Sequence, residues 1–189
     1  MAALVEAASD LFAERGPDGV SLRDVASTAG VNYGLIHQYV GSKEDLLRLV
    51  FRSLSENTAK SFAAADDVTL ALDLLVGTAD SRTRYVRMLA WALLQGRDPT
   101  ELLGRSPALT ALIDRLPGVT DGEAMTPADP RVLIAALTTM SLGWRLFGSF
   151  VQNGAGLGAV PTDEMTGAMR AVAQRLVDDL PGAGTAGST

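Results

Sequence analysis

Few residues in this chain can do chemistry, and its cations include a group set apart from acids. From Val25 to Lys43 there are nineteen residues and no carboxylate. That stretch holds His37, the single histidine, and ends on Lys43, with Arg23 just before it. A stretch without acids, bounded by cations, suits a phosphate. The same inventory excludes most catalysis. Without cysteine there is no thiolate nucleophile, no disulfide scaffold and no Cys-ligated metal site. One histidine is too few for the usual zinc sites, and its place in this stretch leaves no credible Ser-His-Asp arrangement elsewhere. The paired Asp178 and Asp179 read as a solvated helix end. No enzyme activity, cofactor or metal is expected.

The whole-chain charge points the other way. Sixteen basic residues stand against twenty-two acidic ones, a formal net charge of −6. Taken alone, that sign argues against a nucleic-acid partner and against an anionic membrane. Yet all seven acids among the first 53 residues lie outside Val25–Lys43, and the remaining acids fall later in the chain. The sign of the total therefore says little about this stretch. Its size still predicts a shallow salt dependence for any DNA affinity, with hydrogen bonds and apolar contacts contributing beside counterion release.

With 189 residues, 47% of them apolar, the chain can build a core in one domain or two small ones. The longest unbroken apolar run, Met88 to Leu94, is seven residues, too short to span a bilayer. Glu6 and Asp10 interrupt any signal-peptide-like start. A soluble cytoplasmic protein with no membrane partner is the expectation.

The elements that must position these residues are helical. Leu4, Ala7, Ala8, Leu11 and Phe12 follow the spacing of an amphipathic helix, with Glu6, Asp10 and Glu14 on another face. Gly16, Pro17 and Gly19 stop it. Ser21 with Asp24 is a capping-box pair opening a short helix over residues 22–29, which Gly30 ends in the left-handed region. Asn32 caps a third helix, Gly41 breaks it, and Ser42 with Asp45 caps a fourth over residues 43–62. Further helices are predicted near 69–80, 82–96, 107–116, 130–153 and 163–180. Turn residues separate them, among them Asp66-Asp67, Gly96 to Pro99, Pro117-Gly118, Pro127 to Pro130 and Asn153 to Pro161. No segment alternates like a strand. The fold class is all-α, with about nine helices and a tail over residues 181–189 expected to be disordered.

Residues 22–41 carry the sharpest pattern. A helix-turn-helix needs a small residue where its helices meet and a residue tolerant of positive φ in the turn. It also needs apolar residues that hold the pair against the preceding helix. Ala26, Gly30 and the set Val25, Ala29, Val31 and Ile36 meet those demands in register. An ordinary αα-corner in a helical bundle is the competing reading of the same residues.

Four segments extend this pattern: Leu11-Phe12-Ala13-Glu14-Arg15-Gly16, Ser21-Leu22-Arg23-Asp24-Val25-Ala26, Ala29-Gly30-Val31-Asn32 and Ser42-Lys43-Glu44-Asp45-Leu46-Leu47. Together they closely resemble the N-terminal domain of TetR-family transcriptional regulators. The resemblance runs to about Val50; later helices agree with the family only in number and length. It implies a homodimer with a three-helix, helix-turn-helix DNA-binding head over residues 1–45 and a larger helical ligand-binding and dimerisation body over 46–180. It implies a ligand-responsive regulator, a repressor first of all, that binds a palindromic operator in double-stranded DNA. A small, largely apolar effector would release it. The alternative is a regulator-like fold acting mainly as a small-molecule-binding or protein-interaction module with weak DNA affinity.

On this resemblance Asn32–Tyr39 is the recognition helix. Tyr33, Gly34 and Leu35 would face the major groove. Tyr33 can donate to a base edge, Gly34 allows close backbone approach, and Leu35 suits a thymine methyl. Ser21 and Arg23 are DNA-contact positions of the second helix. Arg23 can reach a guanine edge or a phosphate; the alternative is a surface salt bridge with Asp24 or Glu14. His37, Gln38 and Tyr39 stand where the family contacts phosphates. The family usually has tyrosine at the position of His37 and an aromatic residue at that of Val40, so the chain departs at both. A neutral histidine can still donate one hydrogen bond to phosphate; the alternative is packing against Tyr33 or Tyr39. Lys43, beside Ser42, stands at a helix N-terminus whose N–H groups and dipole favour a phosphate. The family often carries a longer arm with arginines before the first helix. Here that helix starts almost at Leu4, and non-specific affinity is expected to be weaker.

In the body, Tyr85, Met88, Trp91 and Leu94 fall on or near one helical face. Leu133, Leu137, Met140, Trp144, Phe147 and Val151 recur at spacings of 4, 3, 4, 3 and 4. Spacing alone reads both stripes as core. The resemblance sets the corresponding helices around an effector cavity, which makes Tyr85, Met88, Trp91, Gln95, Met140, Trp144 and Phe147 candidate ligand-binding residues. Arg87, Gln95 and Arg145 are the polar groups able to orient a ligand. The last helix repeats Met165, Met169, Val172, Leu176 and Leu180. With Leu133 and Leu137, the residues Met165, Met169, Val172 and Leu176 are candidates for the homodimer interface, where Gly143 and Gly148 would allow close approach.

Overall fold

The first apolar stripe becomes α1 (Ala2–Arg15), and its residues Leu4, Ala7, Ala8, Leu11 and Phe12 are all buried. The structure, a computed structural model, describes residues 1–66, 75, 80–115 and 129–178. Gly16 ends α1 at φ 72° and ψ 157°, a region essentially restricted to glycine. α2 (Leu22–Ala29) starts on a complete capping box. The Asp24 N–H donates to Ser21 Oγ at 3.2 Å, and the Ser21 N–H donates to Asp24 Oδ2 at 2.8 Å. Gly30 closes α2 at φ 65° and ψ 30°. Its N–H donates to the Ser27 carbonyl at 3.3 Å and the Val31 N–H to the Ala26 carbonyl at 3.0 Å, the bond pair of a Schellman motif. α3 (Tyr33–Tyr39) is capped by Asn32, whose Oδ1 accepts from the Gly34 N–H at 2.8 Å. α4 (Lys43–Ala63) starts on a second box, in which the Asp45 N–H donates to Ser42 Oγ at 3.1 Å and the Ser42 N–H to Asp45 Oδ2 at 2.9 Å.

These helices close one core around Phe12, Val25, Ile36, Leu46, Leu47 and Phe51, to which α5 (Asp80–Leu94) adds Met88 and Ala92. Burying a side chain such as Phe12 or Phe51 contributes about 1.5–3 kcal/mol. α5 ends in another Schellman motif. Gly96 has φ 76°, its N–H donates to the Leu93 carbonyl at 3.0 Å, and the Arg97 N–H donates to the Ala92 carbonyl at 3.0 Å. Next comes α6 (Pro99–Leu102), a short helix where sequence patterning reads only a break. Asp98 accounts for it: its carboxylate accepts from the Thr100 N–H at 2.7 Å and caps the turn.

A second core joins Phe62, at the end of α4, to Leu112 of α7 (Pro107–Ile113), Ile134 and Leu137 of α8 (Pro130–Gly154), and Ala173 and Val177 of α9 (Thr162–Asp178). Arg115 donates to the carbonyls of Ala63 and Ala65, satisfying the C-terminal end of α4. Asp129 caps α8, with Pro130 at its first position. The chain thus divides into two units, Met1–Thr58 with Thr78–Pro107 and Ala59–Gly77 with Ala108–Thr189.

The described residues form nine helices and no strand. The helix expected over 69–80, the turns at Asp67, Pro117-Gly118 and Pro127, Asp179, Leu180 and the tail 181–189 lie outside the described residues. Beyond the seven-residue run, α8 has 25 residues and a window of mean hydropathy 1.3, enough by length and composition to cross a membrane, a test that the core helix of a soluble protein also passes. Thr138, Thr139, Ser141 and Gly143 interrupt its apolar run without adding charge. Only 22% of that window is buried within the chain.

Candidate nucleic-acid interface

The two capping boxes and the Gly30 turn present α3 with one side chain inward and the rest outward. Ile36 is buried; Tyr33, Leu35, His37, Gln38 and Tyr39 are exposed. Leu35 is 47% exposed and Tyr39 70%, large apolar surface for a seven-residue helix. Tyr33 joins two neighbours. Its hydroxyl lies 2.9 Å from His37 Nε2, and the rings meet edge to face with centroids 5.2 Å apart. The hydroxyl donates when Nε2 is unprotonated. On the other side, the Arg23 guanidinium carbon sits 5.4 Å from the Tyr33 ring centroid, within cation–π range. Arg23, Tyr33 and His37 therefore form one row, with His37 against Tyr33 rather than Tyr39. Ser21 lies at the start of α2 with its hydroxyl donated to Asp24 Oδ2 at 2.7 Å. That bond holds the Asp24 carboxyl below the usual carboxylate range. Gly34 leaves its N–H on the Asn32 cap, and a β-carbon there would come within 3.2 Å of Asn32 Oδ1.

At the start of α4 the charges are paired. Lys43 Nζ lies 4.0 Å from Asp18 Oδ1, with the lysine side chain 33% exposed. Arg97 donates from Nη2 to Asp18 Oδ1 at 2.6 Å and to Glu44 Oε1 at 3.1 Å, and from Nη1 to Gln95 Oε1 at 2.6 Å. The bond donated by Arg97 holds the Asp18 carboxyl below its ordinary range, and its bonds to the Asp18 and Glu44 carboxylates hold the guanidinium above its own. The capping box likewise lowers Asp45 through the Ser42 hydroxyl and uses the Asp45 N–H, so a phosphate at this helix end would meet the N–H groups of Lys43 and Glu44. Sequence reasoning missed Asp18, Glu44 and Arg97 as members of the site. Beside the end of α3, Tyr39, Val40, Asp45, Arg48, Leu49 and Arg52 line a groove of about 270 Å³. Arg48 there donates to Asp45 and to the Glu101 carbonyl.

The candidate effector residues divide between the two units. Tyr85 packs edge-on to Phe51 with centroids 5.4 Å apart, and burial pushes its hydroxyl up to about 12. Met88 is fully buried in the same core. Trp91 covers Gly16, where a β-carbon would come within 3.0 Å of its ring, and Gln95 accepts from Arg97. Met140 and Trp144 are half-buried in the second unit, and Phe147 is exposed. Arg87 is exposed; Arg145 donates to the Leu75 carbonyl at 3.3 Å, and burial pulls its pKa below the usual arginine range. Of the candidate interface residues, Leu137 is fully buried in its own core, Leu133, Met165 and Met169 are half-buried, and Val172 and Leu176 are exposed. Gly148 is buried under the Trp144 ring. The large exposed apolar side chains of α8 are Leu146, Phe147, Phe150 and Val151. Among the described residues no cluster of three metal-ligating side chains occurs.

The sequence profile of the bacterial regulatory proteins of the tetR family matches residues 4–50. The HTH-type transcriptional repressor Rv3405c of Mycobacterium tuberculosis is 34% identical over 167 residues, covering 87% of this chain and 81% of that protein. A TetR-family regulator from Streptomyces coelicolor superposes with a TM-score of 0.51 at 26% identity, over 94% of each chain. A transcriptional regulator from Rhodococcus sp. Rha1 has the same fold, with a TM-score of 0.66 at 21% identity over 94% of this chain and 95% of that one.

Proposed function

The chain belongs to the TetR family of bacterial transcriptional regulators, and on that premise we propose that it is a repressor that binds a palindromic operator as a homodimer. A small, largely apolar effector bound in the body releases it. The observation that carries the reading is the outward face of α3. Tyr33, Leu35, Gln38 and Tyr39 project from a helix without a carboxylate, flanked by Arg23 and Lys43. Apolar and hydrogen-bonding groups together suit base edges, and the flanking cations suit phosphates. The row Arg23–Tyr33–His37 is held before DNA arrives, which lowers the ordering cost of binding. Kinship with a repressor supports the direction of control. In this account residues 1–45 read DNA, and the rest serves the effector and the second subunit.

Surface left uncovered supports the dimer. Leu146, Phe147 and Phe150 of α8 and Val172 and Leu176 of α9 are exposed, and large apolar side chains left open to solvent on two long helices suit an interface. A second copy offers the same patch by two-fold symmetry, and two helices from each subunit would close a four-helix seam. The same surface gives α8 its membrane-like composition. The test is selection of duplexes from a random library by the purified protein, followed by sequencing. Enrichment of an inverted repeat is expected; a library that stays random at low salt would overturn the proposal.

A further inference from the structure

We propose that Arg97 is a positioning residue for DNA binding: by holding Asp18 and Glu44 it keeps Lys43 available to a phosphate. The inference rests on reading Lys43 as a phosphate contact. Asp18 lies within ion-pair distance of the lysine at 4.0 Å, and Glu44 is its neighbour in the chain. Two carboxylates beside a phosphate site repel the ligand and compete for the cation that should bind it. Arg97 answers both at once, with Nη2 at 2.6 Å from Asp18 and 3.1 Å from Glu44. A planar guanidinium can bridge two acids where an ammonium would serve one. Its side chain is only 16% exposed, against 58% for Asp18 and 44% for Glu44, so the acids are open to solvent while the arginine lies behind them.

Arg97 comes from outside the helix-turn-helix. The Gly96 turn at the end of α5 sets its backbone, and α5 itself is fixed to α1. Arg84 pairs with Asp10 at one end, and Trp91 covers Gly16 at the other. Removing the guanidinium leaves Asp18 with Lys43 as its neighbouring cation, takes from Glu44 its bond to Arg97, and makes each head one charge more negative.

The experiment uses the full chain and the operator selected above, with affinity measured by fluorescence anisotropy across a salt series. Arg97→Gln should bind about tenfold more weakly, as expected for losing charge complementarity at a partly exposed site. Its salt slope should fall by up to about 2 for the dimer, one captured Lys43 per head. Asp18→Asn should bind more tightly than wild type. The triple variant Asp18→Asn, Glu44→Gln, Arg97→Gln should return close to wild type, because it has no acid left to hold. If wild type binds and the triple variant stays as weak as Arg97→Gln, the arginine acts through its own contact or through the fold, and the inference is overturned. If Arg97→Gln does not fold, Arg97→Lys and Asp18→Asn decide: an unchanged or weaker Asp18→Asn overturns the inference. If wild type binds no duplex, the functional reading fails first and this one falls with it.

Discussion

Replacing Gly16 with alanine should strain the joint between α1 and α5, and the cost can be worked out from two separate effects. The first is conformational. Gly16 sits at φ 72° and ψ 157°, and holding a β-carbon in that glycine-only region costs about 3 kcal/mol, the upper end for a strained residue. The second is contact. The new methyl would lie 3.0 Å from Trp91 Cδ2 and 3.2 Å from Cε3, so the ring must give by a few tenths of an ångström, at about 1 kcal/mol. The sum is about 4 kcal/mol, a large share of a domain's stability. Gly30→Ala is the internal control. Gly30 is also left-handed, at φ 65° and ψ 30°, but nothing lies within 4 Å of its added carbon, so about 1 kcal/mol is expected. The assay is urea denaturation by circular dichroism, repeated in a Trp91→Ala background where the contact part of the Gly16→Ala cost should vanish. Emission of Trp91 in a Trp144→Phe protein should shift as its packing changes, since these are the two tryptophans. Should Gly16→Ala prove no more costly than Gly30→Ala, the glycine-only conformation of Gly16 and its contact with Trp91 described above are wrong.

Three further outcomes are expected. Phe150→Glu, at a side chain 81% exposed in the subunit, should leave the fold intact and yield a monomer in sedimentation velocity; an unchanged sedimentation coefficient would reject the α8 face as the seam. The carboxyls of Asp18, Asp24, Asp45 and Asp129 are all held below the ordinary range. A depressed carboxyl contributes stability that is present above its unfolded pKa and lost as pH falls through the folded one. Urea midpoints should therefore be flat down to about pH 5 and drop below about pH 4, with a smaller drop in Asp24→Asn. With Arg23 and Lys43 as the phosphate cations of each head, the logarithmic salt slope of operator binding should be near −4 for the dimer; a slope near −10 would require a basic surface beyond these two residues.

How much was legible in the sequence follows the range of the interactions involved. The boundaries of α1 to α4 rest on contacts within a few residues: Ser21 with Asp24, Ser42 with Asp45, Asn32 with Gly34, and the turn at Gly30. Such pairs are visible in sequence because both partners lie in one short window. Arg97 meets Asp18 across 79 residues and Glu44 across 53, and no local pattern joins them; the one available signal was the Gly96 turn. Periodicity reported that Tyr85 and Met88 face inward but not which core they face, and α5 turns them toward Phe51 and α1. In α9 the buried residues are Thr166, Ala173 and Val177, each one position beyond a member of the Met165–Val172–Leu176 stripe. One residue is about a 100° turn of the helix, so that stripe lies beside the inward face, with Val172 and Leu176 on the outside.

The central claim is that the outward face of α3 reads DNA. A DNase I footprint on the selected operator at low salt tests it most directly, comparing wild type with Tyr33→Ala, Leu35→Ala. The account predicts that wild type protects two half-sites separated by whole turns of the duplex, about 10 base pairs each, and that the double variant protects neither while melting like wild type. Equal protection by both proteins would mean that another surface carries the recognition.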